Sequence, residues 1–341
     1  MQKEWFILFV LTVSEFPALS QYQPLSNEYI AWINANQSYW KAGRNFHESE
    51  WSKLKLMASG VQLENASLVE LSETSYYLKL SKSNIPKHFD AREAWQDCNS
   101  IKQIWDQSQC GSCWAVSATA AMSDRICIHS HQILQLYVSA DDLLSCCGQC
   151  GQQCKGGKPL QAWKYWQKYG IVTGGAFNSS QGCKDYSLPP CKHHNNAQAP
   201  SKHNCEQLVL RSPQCVEKCD DFFLSYENSR TFGGKVRRFA DEESVQMEIM
   251  WNGPVQAVMK VYEDFYNYKS GVYAKTRGKY VGKHAVKLLG WGRENGIPYW
   301  LCANSWNSDW GHYGYFKLLR SGNHCGILNQ VLASLPIIDF A

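Results

Sequence analysis

The chain has 341 residues, a net charge of only +4 and 44% hydrophobic residues. That length can bury a large core, as one two-lobed unit or two small domains, and the absence of a long basic run argues against nucleic-acid binding. Its 15 cysteines all lie at or beyond Cys98. They point to disulfides formed in an oxidising compartment, and their odd number leaves at least one thiol outside intramolecular pairs.

In chain order, Lys3 precedes the apolar run Trp5 to Val13, and Ala18-Leu19-Ser20 follows it. This is the layout of a signal peptide over residues 1–20, too short to span a bilayer, and no later run is long and apolar enough to be a membrane helix. The expected destination is the secretory route: secreted, extracellular or gut lumen, or a lysosomal or vesicular lumen. Asn36, Asn65 and Asn178 each begin an Asn-x-Ser glycosylation sequon. Residues 21–84 lack cysteine, and Tyr29, Ile30, Trp32 and Ile33 fall at helical spacing. The absence of cysteine favours a removable prosegment over a small helical subdomain that stays attached.

The string Gln107-Ser108-Gln109-Cys110-Gly111-Ser112-Cys113-Trp114 leads into small and apolar residues from Ala115 to Met122, which read as a buried helix. Ser112 stands where that helix would start. Cys113 then lies in the first turn, where unpaired N–H groups and the helix dipole favour a thiolate. A redox pair, half of a zinc site and a plain disulfide framework are the competing readings of Cys-x-x-Cys. His284 and Asn304 follow downstream, in the order nucleophile, base, orienting amide. Their separations from Cys113 exceed the usual range of about 130–150 residues, so an insertion is expected. It is visible between Cys183 and Cys219, where Pro189-Pro190-Cys191-Lys192-His193-His194 opens a polar loop that closes at Cys205. A zinc site at Cys146, Cys147, Cys150 and Cys154, and a metal role for the paired histidines, are the alternatives there. Asp241 to Trp251 reads as a short helix stopped by Asn252-Gly253-Pro254. Val255 to Val261 and Ala285 to Gly290 read as strands.

These strings resemble the papain-like cysteine proteases, and cathepsin B most closely among them. The resemblance rests on Trp40-Lys41-Ala42-Gly43-Arg44-Asn45-Phe46, on Ile85 to Glu93 and on the Cys113 motif, and is nearly continuous from residue 85 onward. It implies an α+β, papain-like fold of two lobes, mainly helical over about 85–230 and β-rich and barrel-like over about 231–335, with the cleft between them. The mature enzyme would be 85–341, and the propeptide 21–84 would run backwards through the groove as an inhibitor. Cys113 would be the nucleophile, His284 its ion-pair partner and acid, and Asn304 the residue that orients the ring under the shield of Trp306. Gln107 would donate to the oxyanion. Gly156 and Gly157 would bind extended substrate through their backbone. The loop 189–205 would be an occluding loop whose His193, held by Asp106, and His194 receive a substrate's C-terminal carboxylate, giving peptidyl-dipeptidase as well as endopeptidase activity.

The resemblance also implies the disulfides Cys98–Cys127, Cys110–Cys154, Cys146–Cys215, Cys147–Cys150, Cys183–Cys219 and Cys191–Cys205, leaving the state of Cys302 and Cys325 open. It implies a monomer needing no cofactor or metal. Partners are protein and peptide substrates, the chain's own propeptide and cystatin-type inhibitors, with neither nucleic acid nor membrane among them. Two departures stand out. Lys283 replaces a glycine beside the histidine, on the wall shared by the S2 and S1′ sites, and Gln330 replaces the acidic residue near the floor of S2. They predict weak cleavage of substrates with arginine at P2 and, through Lys283, tolerance of acidic P2 residues. Lys283 would also disfavour the imidazolium unless it points away, so a catalytically silent binding or decoy protein is the rival reading. The string from Tyr299 to Gly311 further resembles gut proteases of blood-feeding worms, with departures at Cys302 and His312, and suggests haemoglobin as a substrate.

Overall fold

The computed structural model describes residues 23–62, 64, 85–192, 203, 204 and 211–338. The N-terminal part carries α1 (Asn27–Asn36), strand β1 (Trp40–Ala42) and α2 (Trp51–Ala58). Ser26 caps α1 by accepting from the Tyr29 N–H, and the helix turns Tyr29 and Ile33 inward, as the spacing predicts. Strand β2 (Phe89–Asp90) and the short helices α3 (Ala91–Ala94) and α4 (Asn99–Lys102) lead to α5 (Cys113–His129). Every residue of α5 from Cys113 to Ile128 is buried. Its alanines and serines let neighbouring elements approach from all sides, which is how a core helix differs from a surface one. Next come α6 (Ala140–Cys146) and α7 (Pro159–Tyr169), the latter with proline in its first turn and Gly170 at φ 75° after its end.

Strands β3 (Ile171–Val172), β4 (Cys191–Lys192), β5 (His203–Asn204), β6 (Arg230–Gly233) and β7 (Arg237–Phe239) precede α8 (Glu242–Asn252). Asp241 caps α8 by accepting from the Ser244 N–H. Then follow the strands β8 (Val255–Tyr262), β9 (Tyr268–Tyr273), β10 (Tyr280–Glu294), β11 (Ile297–Ala303), β12 (Tyr315–Leu319), β13 (Val331–Ala333) and β14 (Pro336–Ile337), with short 3-10 turns at Glu263–Asn267 and Ser321–Asn329. The main sheet runs β1-β9-β12-β11-β10-β8-β13-β7, with β2 added beside β10. It is therefore an open path among the described residues. The two lobes are not cut cleanly near residue 231. Strand β2 joins the β-lobe sheet, whereas β14 returns to pair with β6, which pairs with β3 of the helical lobe. Each end of the region thus straps one lobe to the other.

Five disulfides form: Cys98–Cys127, Cys110–Cys154, Cys146–Cys215, Cys147–Cys150 and Cys183–Cys219. They take up Cys146, Cys147, Cys150 and Cys154, which overturns the zinc reading, and they engage Cys110 elsewhere, which overturns a Cys110–Cys113 redox pair. Among the described residues no group of three or more His, Cys, Asp or Glu side chains could hold a metal. Of the sixth expected pair, Cys191–Cys205, Cys205 lies outside the described residues. Cys302 and Cys325 are both free thiols, the first buried in the β-lobe core and the second half-buried against it.

Two buried ion pairs join α5 to the β-rich lobe. Lys287 Nζ on β10 stands 2.8 Å from Asp124 Oδ2 and also donates to the Ser100 and Ile101 carbonyls. Arg125 Nη2 stands 2.7 Å from Glu248 Oε1 on α8, and its guanidinium donates to the carbonyls of Gly253, Pro254 and Ser334. Removing one partner of such a pair leaves the other charge buried and uncompensated. Arg125→Met is expected to lower unfolding free energy by about 3–5 kcal/mol, read as a fall in the denaturant midpoint of the full chain. A loss under about 1 kcal/mol would contradict a buried Glu248 that depends on Arg125.

Candidate active site

Cys113 is the first residue of α5 and is fully buried. Ser112 occupies the cap position, yet its hydroxyl bonds to the Tyr186 hydroxyl at 2.8 Å and caps nothing. The Tyr186 hydroxyl in turn donates to the Gln107 carbonyl, so one tyrosine braces both flanks of the cysteine loop. Backbone groups of Ala285, Trp114, Cys113 and Gly60 favour the thiolate, but burial outweighs them and pushes the Cys113 thiol up to about 12. In this state the expected low-pKa thiolate is absent, and the reason is desolvation.

His284 projects from β10 and is also fully buried. Its Nε2 lies 2.8 Å from Asn304 Oδ1, just past the end of β11. That Asn304 atom also accepts from the Ser305 N–H, so it is the amide oxygen, and the ring nitrogen facing it must donate. In the neutral ring, Nδ1 is then the free base. Burial pushes the His284 imidazole from its ordinary 6.5 down to about 4, against the hydrogen bonds to Asn304 and to the Met57 backbone, which favour the charged ring. Trp306 lies over the imidazole at 4.9 Å between centroids and stacks on Tyr266. It covers the His284–Asn304 bond in the manner the resemblance implies.

Gln107 is buried, with Oε1 accepting from the Ser305 hydroxyl at 2.6 Å. That bond fixes which end of the amide carries hydrogen, and the Nε2 group donates to the Cys110 carbonyl and, at 3.2 Å, to the Met57 carbonyl. Met57 belongs to α2, so the N-terminal segment enters the groove here. Past α2, a Cβ placed on Gly60 would collide with the Gly111 carbonyl oxygen and stand 3.0 Å from Cys113 Sγ, leaving room only for glycine. Gly157 then donates to the Gly60 carbonyl, and its own carbonyl accepts from the Gln62 N–H, a parallel bridge centred on Val61. Gly156 supplies the sharp turn with φ 111° and accepts from the Gln62 side chain at 3.3 Å.

Upstream, the Trp40–Phe46 string anchors this segment. The Trp40 indole donates to the Ala274 carbonyl, Asn45 donates to the Tyr266 and Tyr268 carbonyls, and Phe46 packs edge-on to Trp306. Closure keeps the cysteine and histidine neutral. A lowered imidazole pKa stabilises the closed form above pH 6.5, and that contribution is lost as pH falls from 6.5 toward 4.

Lys283 lies on the face of β10 opposite His284, because neighbouring strand residues alternate. Its expected effect on the imidazole is therefore not seen. Gln330 is buried near the same sheet, and its carbonyl accepts from the Val258 N–H. Asp106 accepts from the Ser108 N–H and the Asn307 amide. His193 and His194 lie outside the described residues, as does Asn65. Asn36 and Asn178 are both exposed. Sequence reasoning missed Met57, Gly60, Ser305 and Tyr186. Of these only Gly60, a glycine just after a helical run, left a signal in the sequence.

The family model for papain family cysteine proteases matches residues 85–335. The chain is 45% identical over 323 residues to a cathepsin B-like cysteine proteinase 6 of Caenorhabditis elegans, covering 92% of this chain and 84% of that one. It is 42% identical to a cathepsin B-like cysteine proteinase of Schistosoma japonicum, covering 92% and 91%. A solved procathepsin B from Trypanosoma congolense superposes with a TM-score of 0.79 at 33% identity, covering 93% of this chain and all of that one.

Since nothing flexible faces Gly60, Gly60→Ala must lift the segment from the groove. Iodoacetamide is expected to label Cys113 of the uncleaved Gly60→Ala chain at least about tenfold faster than wild type, a shift of about 1.4 kcal/mol in opening. Equal labelling rates would contradict the closed groove.

Proposed function

Because the chain belongs to the papain family of cysteine proteases, as a cathepsin B-like cysteine peptidase made as a zymogen, we propose that Cys113, His284, Asn304 and Gln107 carry peptide hydrolysis once the segment ahead of residue 85 has left. With the groove open to water, the desolvation that keeps the pair neutral disappears. The Cys113 proton passes to His284 Nδ1, giving a thiolate–imidazolium pair while Asn304 holds Nε2–H. The thiolate adds to the scissile carbonyl. The oxyanion that forms takes hydrogen bonds from Gln107 Nε2 and the Cys113 N–H. His284 gives its proton to the departing amine, leaving a thioester. The same imidazole then activates the water that releases the acid.

One observation carries this reading: the Met57 carbonyl accepts from Gln107 Nε2 at 3.2 Å beside a histidine fixed by Asn304. An amide carbonyl thus already occupies the donor that the reaction needs. The segment pairs with Gly157 in parallel, and a bound substrate would run the opposite way. That reversal leaves no segment bond presented correctly to Cys113, so the occupant inhibits without being cut.

The finer readings belong to the same proposal. His193 and His194 would take a C-terminal carboxylate and make the enzyme a peptidyl-dipeptidase as well as an endopeptidase. The propeptide would be residues 21–84, released in a secreted or lysosomal-type compartment. The signal-peptide layout of residues 1–20, the five disulfides and the exposed sequons at Asn36 and Asn178 support that route. On processed enzyme, Gln107→Ala is expected to lower kcat about 10²- to 10³-fold with little change in KM. Cys113→Ser should remove measurable turnover. A Gln107→Ala enzyme within about threefold of wild type would contradict the assigned oxyanion donor. Peptides ending in a free carboxylate, compared with their amides, read the dipeptidase activity in the same assay.

A further inference from the structure

The ladder between β8 and β10 presents three successive rungs to the same side. Gln256 pairs with Lys287, Val258 with Ala285, and Lys260 with Lys283. The first rung is fixed beneath α5, since Gln256 donates to the Trp114 carbonyl and the Ser117 hydroxyl. The second packs against Cys113, and Val61 of the N-terminal segment fills the space between them. The third lies two residues further out, about 7 Å along the strands, and faces solvent at the mouth of the pocket that holds Val61. There Lys260 is exposed and Lys283 half-buried. Directly opposed like charges on a sheet destabilise one another. Consistent with this, burial and Lys260 both lower the Lys283 pKa. No carboxylate pairs with either lysine among the described residues. Beside the same pocket the side-chain amide nitrogen of Gln330 is buried without a hydrogen-bond acceptor.

We infer that the Lys260–Lys283 rung and the Gln330 amide make this peptidase select an acidic side chain at the substrate position whose pocket Val61 now fills. The inference rests on the peptidase reading above and adds to it a substrate class. A glutamate entering past the apolar Val258–Ala285 rung brings its carboxylate to the two ammonium groups, relieving their repulsion, while the Gln330 N–H₂ group gains an acceptor. An arginine there meets two like charges and no acceptor. The sequence exposes Lys283 through its place beside the histidine. Lys260 becomes visible only through the strand register.

The test uses processed enzyme and peptides that differ only at that position, carrying Glu, Gln, Val or Arg. The expected result is kcat/KM for Glu about three- to tenfold above Gln at low salt, shrinking at high salt, with Arg the poorest. In Lys260→Gln/Lys283→Gln the Glu-to-Gln ratio should fall to about one. In Lys260→Glu the Arg-to-Gln ratio should rise, which keeps the test open if the double variant folds poorly. A Glu-to-Gln ratio of one in the wild type, with the Val peptide cleaved, would overturn the inference, as would a ratio that survives in both variants. Failure to cleave any of the peptides, with no acylation of Cys113, would instead remove the peptidase reading and the inference with it.

Discussion

Desolvation of two side chains governs this molecule. Cys113 and His284 are groups whose chemistry requires charge, and in the closed form both are fully buried under the stretch from Met57 to Gln62. The local donors around the sulfur are already those that would stabilise a thiolate, yet burial overrides them. Inhibition therefore needs no distortion of the site. The Asn304 contact that orients the ring is in place, and so is the Gln107 amide, with a carbonyl against it. What opening supplies is water, and with it the charge separation that a nucleophile and an acid need.

Such a site works only if two lobes hold their relative position. Cys113 starts a helix of one lobe and His284 sits on a strand of the other, so any slip between α5 and β10 separates them. The frame that prevents this is polar and buried. Asp124 and Lys287 tie the same helix to the same strand, and Arg125 ties it to Glu248 and to the carbonyls of Gly253, Pro254 and Ser334. The strand ladder then sets what lies where along the groove: glutamine under the helix, apolar residues at the nucleophile, lysines at the rim. Orientation of the base and the chemistry of the neighbouring pocket follow from one alternation along β10, with His284 on one face and Lys283 and Ala285 on the other.

Much of this was legible in the sequence because motif residues carry their own geometry. Cysteine at the start of a small-residue helix, a histidine and an asparagine downstream, and paired glycines are recognisable without coordinates, and the structure brings them to one groove. The helices α1 and α8 were readable from the spacing of Tyr29 to Ile33 and from the Asn252-Gly253-Pro254 stop, and the structure adds the caps that start them, Ser26 and Asp241. Ser112, read from the sequence as the cap of the nucleophile helix, does not cap it, because a tertiary contact with Tyr186 takes its hydroxyl. Three things were not legible. The neutral state of the pair depends on burial by a segment far away in sequence. The lobe boundary near residue 231 was blurred because β2 and β14 cross it. Lys260 faces Lys283 only through pairing register, which no local pattern encodes.

The central claim is that the pair is assembled but kept neutral until the N-terminal segment leaves. The most direct measurement is the alkylation rate of Cys113 against pH, in the uncleaved chain and after proteolytic removal of that segment, with the modified residue located by mass spectrometry. The account predicts that the uncleaved chain stays nearly unreactive through neutral pH. The processed enzyme should react fast down to about pH 5, because a cysteine paired with an imidazolium remains a thiolate there. Equal rates in the two forms would contradict the claim. So would a processed enzyme whose reactivity rises only near the ordinary thiol pKa of about 8.5.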